Sequence, residues 1–217
     1  MLRLPFAQWP VGPRTILCLG AHCDDIEIGC GGTLLRLVEE LPDLRVCWVT
    51  FSGTVERLKE LEHSAGEFLA GAADFTVQTH AFRDGFFPYL GTGIKEAFEE
   101  LKEIVSPDLI LTHYRQDAHQ DHRIVSELTW NTFRDHVILE YEVPKYDGDL
   151  GLPNFFVDLT RLQCERKIDC LMQLYGSQRS RAWFSEETFW AMLRLRGVEA
   201  RARSGFAEGF HCRKLVV

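Results

Sequence analysis

The 217-residue chain predicts an α/β fold: a mostly parallel sheet covered by helices on both faces, with its active site at the C-terminal ends of the strands. Three observations carry this. Short, wholly apolar, β-compatible runs recur along the chain, as strands buried on both faces require. Segments with helical spacing of their apolar residues separate these runs, and such alternation calls for a parallel sheet. Two clusters of His and Asp follow directly on two of the apolar runs, where open α/β sheets bind ligands.

The first strand is Thr15-Ile16-Leu17-Cys18-Leu19. A polar, glycine-rich turn over Gly20–Thr33 leads from it into a helix read from Leu34 to Leu41. Leu44–Phe51 is a second strand. Ser52-Gly53-Thr54 turns into a helix from about Val55, with Leu58, Leu61, Ala65, Phe68 and Leu69 on one stripe. Phe75–Thr79 is a third strand. A glycine-rich loop from Arg83 to Gly93 reaches a helix through Phe98, Leu101, Ile104 and Val105, closed by Pro107. Leu109–Thr112 is a short buried strand, and the helix after it carries Ile124, Val125, Leu128 and Phe133. Val137–Tyr141 and Phe155–Leu159 are further strands, followed by helices over about 161–175 and 186–197 and a terminal segment Arg213–Val217. No repeat, linker or low-complexity tract divides the chain, so residues 1–217 are expected to form one domain.

Composition narrows the function. Hydrophobic residues make up 46% and charged residues 26% of the chain, as in an ordinary globular protein. A net charge of -8 disfavours a nucleic-acid surface, which needs a basic patch. No apolar run reaches the ~20 residues of a membrane span, and the first ten residues do not resemble a signal peptide; a cytoplasmic protein is expected. The seven cysteines are odd in number and contain no C-x-x-C pair, which indicates neither a disulfide framework nor a structural zinc finger. Cys18 and Cys47 read as small core residues.

The first cluster is His22-Cys23-Asp24-Asp25, with Glu27 close behind. Alone, it suits a helix cap or a phosphate-holding turn nearly as well as a metal site. The second cluster, His113-Tyr114-Arg115-Gln116-Asp117-Ala118-His119-Gln120-Asp121-His122, shifts the balance. It begins at the end of another parallel strand, so both clusters converge on one sheet edge. His119 and His122 share a face once the helix starts, and Asp121 is placed to cap that helix. Convergence of His22, Asp25 and one later histidine would give three N/O ligands, the pattern of a catalytic zinc that keeps one position open. The donor types are equally compatible with Fe(II), Co(II) or Mn(II). His63, His80, His136 and His211 stand without such company.

These motifs resemble those of the PIG-L/LmbE-like family of zinc-dependent N-acetylglucosaminyl deacetylases. The family's AHPDDE signature is similar to Ala21-His22-Cys23-Asp24-Asp25, and its H-x-D-H segment to His119–His122, preceded by His113 and Asp117. The likeness extends to Arg57-Leu58-Lys59-Glu60, Asp84-Gly85, Pro153–Asp158, Ser177-Gln178 and Ala207–Phe210. Two positions depart: Cys23 replaces the proline, and Ile26 the glutamate, with Glu27 one place later. Cys23 is expected to fill the proline's apolar place rather than to bind metal.

The resemblance implies a Rossmann-like fold, Zn²⁺ on His22, Asp25 and His122, and Asp24 as general base. It also implies catalytic roles for His119, as donor to the oxyanion or the leaving amine, and for Asp121, which would hold an imidazole in its tautomer. Arg57 and Asp84 would contact sugar hydroxyls, and the chain would be a homo-oligomer. The substrate would be a small amino-sugar conjugate that loses acetate. Other readings are an amidase acting on a non-sugar N-acyl substrate, or a catalytically inactive metal-binding protein. A phosphorylatable receiver explains the Asp pair but none of the histidines.

Overall fold

The structure is a computed structural model that describes Phe6 and residues 14–216. Nearly all of residues 1–10, and Val217, lie outside it. The described chain runs β1 (Thr15–Gly20), α1 (Asp25–Glu40), β2 (Arg45–Thr50), α2 (Val55–Leu69), β3 (Asp74–Thr79), α3 (Gly91–Ile104), β4 (Leu109–His113), α4 (Gln120–Thr132), β5 (Val137–Tyr141), β6 (Phe155–Asp158), α5 (Arg161–Leu174), α6 (Glu186–Glu199) and β7 (Ala207–Cys212). These strands form one sheet in the order β3-β2-β1-β4-β5-β7-β6. The first five are parallel, and β7 runs antiparallel between β5 and β6.

Strand periodicity splits the core into two layers. Ile16 and Cys18 of β1 pack with Leu34 of α1, Phe68 of α2, Ile168 of α5 and Phe189 of α6. Leu17 and Leu19 face the other way, into Ile94 and Phe98 of α3 and Val125 of α4. Both faces of β1 are therefore covered, which is why its sequence is continuously apolar rather than alternating. Each such Leu or Ile side chain contributes about 1.5–3 kcal/mol by burial.

Two readings needed correction. The glycine-rich stretch after Asp25 is already helix: α1 begins at Asp25, nine residues ahead of the expected Leu34. Its glycines serve close packing. A Cβ on Gly29 would stand 2.1 Å from the Tyr141 ring, and one on Gly32 would stand 2.4 Å from Leu159. Strand β7 was not foreseen, because Ala-Glu-Gly-Phe-His-Cys has a glycine at its centre and little apolar run. Tertiary packing between β5 and β6 makes it a strand nonetheless. Residues 213–216, after it, have no regular structure.

Chain order places the site. β1 is followed outward by β2 and β3, whereas β4 returns to its other side. The β1–α1 and β4–α4 connections thus diverge at the topological switch point, where doubly wound sheets leave a crevice. Both His/Asp clusters lie on those two connections.

Candidate metal centre and active site

His22 and Asp24 occupy the turn after β1, and Asp25 is the first residue of α1. A carboxylate there is favoured by the helix dipole. The backbone N–H of His22 donates to Asp25 Oδ2 at 2.6 Å. The second cluster crosses from the end of β4 to the start of α4, where His119 is the N-cap and accepts the Asp121 N–H on Nδ1 at 3.3 Å.

Three of these residues bring donor atoms together. His22 Nδ1 is 3.3 Å from Asp25 Oδ2 and 3.3 Å from His122 Nε2, and His122 Nε2 is 3.5 Å from Asp25 Oδ1. A tetrahedral zinc with bonds of 2.0–2.1 Å spaces its ligands by about 3.4 Å, so this triangle fits a divalent ion with one position left open. The charges fit as well. Asp24, Asp25, Asp117, Asp121 and Asp84 surround the cluster, and the standing cations are Arg57 and Lys145. Burial disfavours a proton on His22, but the Asp25 charge and the bonds to Asp121, Asp25 and Asp84 override it and hold the imidazole well above its ordinary value. The same negative charge that favours a proton on this imidazole favours a divalent cation beside it.

His122 is the complementary case. Burial, with the charge of His113 adding to it, pushes it down to about 4, so it is neutral near pH 7 and its lone pair is free to ligate. Its ring lies 3.9 Å from that of His113 in a stack. Its Nδ1 is 2.9 Å from Asp117 Oδ2. Burial opposes ionisation of Asp117, but the His122 hydrogen bond and the nearby Lys145 ammonium keep it well below the carboxylate range.

Asp24 is buried and differently placed. One oxygen, Oδ1, is bonded by the Arg57 guanidinium, and Oδ2 is buried without a hydrogen-bond partner among the described residues. Burial raises its proton affinity, against the pull of Arg57. Arg57 comes to this position from the first turn of α2, which Thr54 caps. Glu60 does not pair with it, since its carboxylate accepts from the Ser177 N–H at 2.9 Å and Oγ at 2.6 Å.

Asp84 projects from the β3–α3 connection with its side chain 64% exposed and Oδ1 3.0 Å from His22 Nε2. Asp121 is wholly buried. Its Oδ2 accepts from Gly85 N–H at 2.6 Å and lies 3.3 Å from His22 Nε2, and its Oδ1 accepts from Phe87 N–H at 3.1 Å. Gly85 takes φ +77°, a left-handed turn that suits glycine. Asp121 therefore orients the His22 imidazole and anchors the loop carrying Asp84. Cys23 is buried with Sγ 3.4 Å from the Ser52 carbonyl, on the β2–α2 turn, and joins none of the metal-type donor groups.

The structure adds residues that the candidate set omitted. Asp117 backs His122, Lys145 backs Asp117 at 2.9 Å, and His113 lies buried 3.2 Å from Asp25 Oδ2 while accepting the Ala21 N–H. Asp117 and His113 carried a sequence signal, standing inside the second cluster; Lys145, on the β5–β6 connection, carried none. Of the other histidines, His63 is exposed, His80 stacks on Phe51, His136 lies edge-on to Phe133 and His211 stacks on Tyr114.

Fold and site together define a doubly covered α/β protein with an N/O donor triangle and a separate buried carboxylate at its switch point. The family described as PIG-L, GlcNAc-PI de-N-acetylase, matches residues 17–133, more than half of the chain. The chain belongs to that family. It is 28% identical over 138 residues to a protein of Escherichia coli (strain K12) named uncharacterized deacetylase YaiS, covering 60% of this chain and 75% of that one. Among solved structures it resembles N,N'-diacetylchitobiose deacetylase from Pyrococcus horikoshii, with a TM-score of 0.65 and 20% identity over 93% of this chain and 84% of that one. It also resembles GalB, a 4-carboxy-2-hydroxymuconate hydratase from Pseudomonas putida KT2440, with a TM-score of 0.68 and 16% identity over 94% and 97% of the two chains. At these identities the likeness is one of fold, and the two names show that the fold carries different chemistries.

Proposed function

We propose that the chain is a divalent-metal-dependent N-deacetylase acting on an N-acetylglucosamine-type amino sugar. The observation that carries this is the triangle of His22 Nδ1, Asp25 and His122 Nε2 beside Asp24 Oδ2, a buried carboxylate oxygen without a partner. Three N/O ligands with an open position suit catalytic zinc, and also Fe²⁺, Co²⁺ or Mn²⁺. When bound, such an ion polarises the acetamide oxygen and lowers the pKa of a water to about 7.

The chain's own residues do the rest. Asp24 takes the proton of the water that attacks the acetamide carbon, and burial has raised its affinity for that proton. Arg57 holds the other oxygen and fixes the carboxylate's orientation. His119 accepts the Asp121 N–H at Nδ1, so its neutral tautomer carries the proton on Nε2. Burial and the His22 charge push it below its ordinary value. As a neutral imidazole it donates Nε2–H to the developing oxyanion. The proton held by Asp24 then passes to the nitrogen as the C–N bond breaks, giving acetate and a free amine. Asp84, whose side chain is largely exposed, is the group we assign to the sugar hydroxyls.

The family description and the deacetylase names support the amide reaction and the sugar class. The test is acetate release from N-acetylglucosamine joined to a range of aglycones, with N-acyl amides lacking a sugar as the contrast, using protein loaded in turn with Zn²⁺, Co²⁺ and Fe²⁺. Turnover confined to the non-sugar amides would replace the substrate class. No turnover on any amide at full loading would refute the activity.

A further inference from the structure

Glu208 of β7 and Lys167 of α5 form a buried ion pair outside the donor triangle, with Nζ 2.6 Å from Oε1 and side chains 3% and 4% exposed. Among the described residues, every other hydrogen bond of these two side chains goes to α1. Glu208 Oε1 accepts the Gly32 N–H at 2.8 Å. Its Oε2 accepts the Thr33 N–H at 2.7 Å and the Thr33 hydroxyl at 2.6 Å. Lys167 Nζ donates to the Ile28 carbonyl at 2.6 Å. We propose that this pair is a positioning element, which sets the register of α1 against the sheet and so places Asp25 in the donor triangle.

A buried ion pair is poor evidence of stabilisation, because desolvation of both charges offsets their attraction. Its geometry points to another role. A packed helix ordinarily holds its register through interdigitated side chains. Gly29 and Gly32, three apart on one face, supply none where α1 meets Tyr141, Leu159 and Glu208. The pair supplies directed bonds there. A backbone N–H points toward the start of its helix and a C=O toward its end. Holding the Gly32 N–H and the Ile28 C=O therefore opposes sliding in both directions. Glycine also admits the carboxylate, since a Cβ on Gly32 would stand 2.9 Å from Glu208 Oε1.

The grip is close to the site. Ile28 is three residues from Asp25, about 4.5 Å along the axis, so a shift at one passes to the other. The His22 N–H is bonded to Asp25, and the turn would move with it. A slide of ~1 Å would open a triangle whose edges are 3.3 to 3.5 Å. What is placed rests on the reading of His22, Asp25 and His122 as metal ligands; the grip on α1 does not.

The experiment compares wild type with two variants of the full chain. Lys167→Met/Glu208→Gln removes both charges together and leaves neither buried alone. Leu101→Ala truncates the core on the other face of the sheet. Zn²⁺ affinity is measured by chelator competition well below each thermal midpoint. The visible absorption of the Co²⁺-loaded form, which follows ligand geometry, is recorded beside it. The double variant is expected to bind Zn²⁺ more weakly by about tenfold or more, as on losing an outer partner, with a changed Co²⁺ spectrum. Leu101→Ala is expected to lower the midpoint and leave both readouts as in wild type. Wild-type affinity and spectrum in the double variant overturn the proposal, as does equal weakening in Leu101→Ala, since affinity then follows stability. If the double variant does not fold, Thr33→Val, which removes only the hydroxyl held by Glu208, is read in its place: weaker Zn²⁺ binding with a changed spectrum upholds the proposal, and unchanged readouts overturn it. A weakened double variant with no acetate release from any chain upholds the positioning and refutes the deacetylase; acetate release with an unchanged double variant does the reverse.

Discussion

Asp117 Oδ2 lies 2.9 Å from His122 Nδ1, and the same oxygen is 2.9 Å from the Lys145 ammonium. A carboxylate behind a ligating imidazole fixes its tautomer and its direction, and losing such a partner typically costs 10–100-fold in metal affinity. Asp117→Asn keeps the shape and removes the charge. We expect its metal affinity to fall by about that factor, while kcat at saturating metal changes less. Chelator competition measures the first and acetate release the second. Wild-type affinity in the variant would remove Asp117 from any role in holding His122.

Asp24→Asn tests the general base. The amide keeps the size and can still meet Arg57, but it has no basicity, so metal content should stay at one ion per chain while turnover drops by at least ~10²-fold. Loss of the ion would show that Asp24 and Asp25 have exchanged roles.

Much of this site was legible because its residues are short-range in sequence and their direction follows from two strand ends. Apolar runs gave β1 and β4, and β-α alternation gave a parallel sheet, so convergence of the two clusters followed. The start of α1 was not legible. Gly29, Gly31 and Gly32 read as a turn by propensity, but they lie in α1, where Tyr141, Phe68 and Leu159 approach the helix too closely for a Cβ. Nothing local shows that contact. Lys145 was invisible for a similar reason: it reaches Asp117 only through the packing of the β5–β6 connection on the β4–α4 one. β7 is held by its two neighbours rather than by its own sequence.

Gly29→Ala separates two opposed effects. Replacing a helical glycine by alanine gains up to about 1 kcal/mol of helix propensity. Here the added carbon would stand 2.1 Å from the Tyr141 ring, and overpacking a core costs about 1–3 kcal/mol. The clash should win, with a lowered midpoint in thermal unfolding. The displaced Tyr141 hydroxyl donates to the Leu19 carbonyl at 2.7 Å, so the end of β1 should loosen with it. A variant as stable as wild type would mean that the ring moves aside freely.

Glu27 sets a pH dependence. Burial pushes it up to about 8, against hydrogen bonds from Ser64 and Tyr175 that favour the ionised form. Its folded value lies above the ordinary 4.5, so the folded chain binds more protons than the unfolded chain between those two values. Linkage then makes Glu27's contribution fullest below about pH 4.5 and lost as pH rises to about 8, with no further change above. Glu27→Gln cannot ionise. The difference in melting temperature, wild type minus variant, should decrease steadily between about pH 5 and pH 8. A flat difference would place an ionised Glu27 in the native state throughout.

His122 and His119 are three residues apart, but the chain holds them differently. His122 is inside α4, 2% exposed, with Nδ1 committed to Asp117 and Nε2 in the donor triangle. His119 is the N-cap, half-buried, with Nδ1 accepting the Asp121 N–H in the first turn of α4 and no hydrogen bond to Nε2 among the described residues. A ligand needs fixed direction, and a group that meets charge only in the transition state needs a free donor. His122→Ala should therefore release the ion or weaken it by orders of magnitude, and turnover should vanish with it. His119→Ala should keep the catalytic ion at near wild-type affinity and lose mainly kcat, by about 10²–10³-fold, the effect of removing one oxyanion donor. Metal content at one equivalent and kcat are to be measured on both variants side by side. An ion lost from His119→Ala and kept by His122→Ala would reverse the two roles.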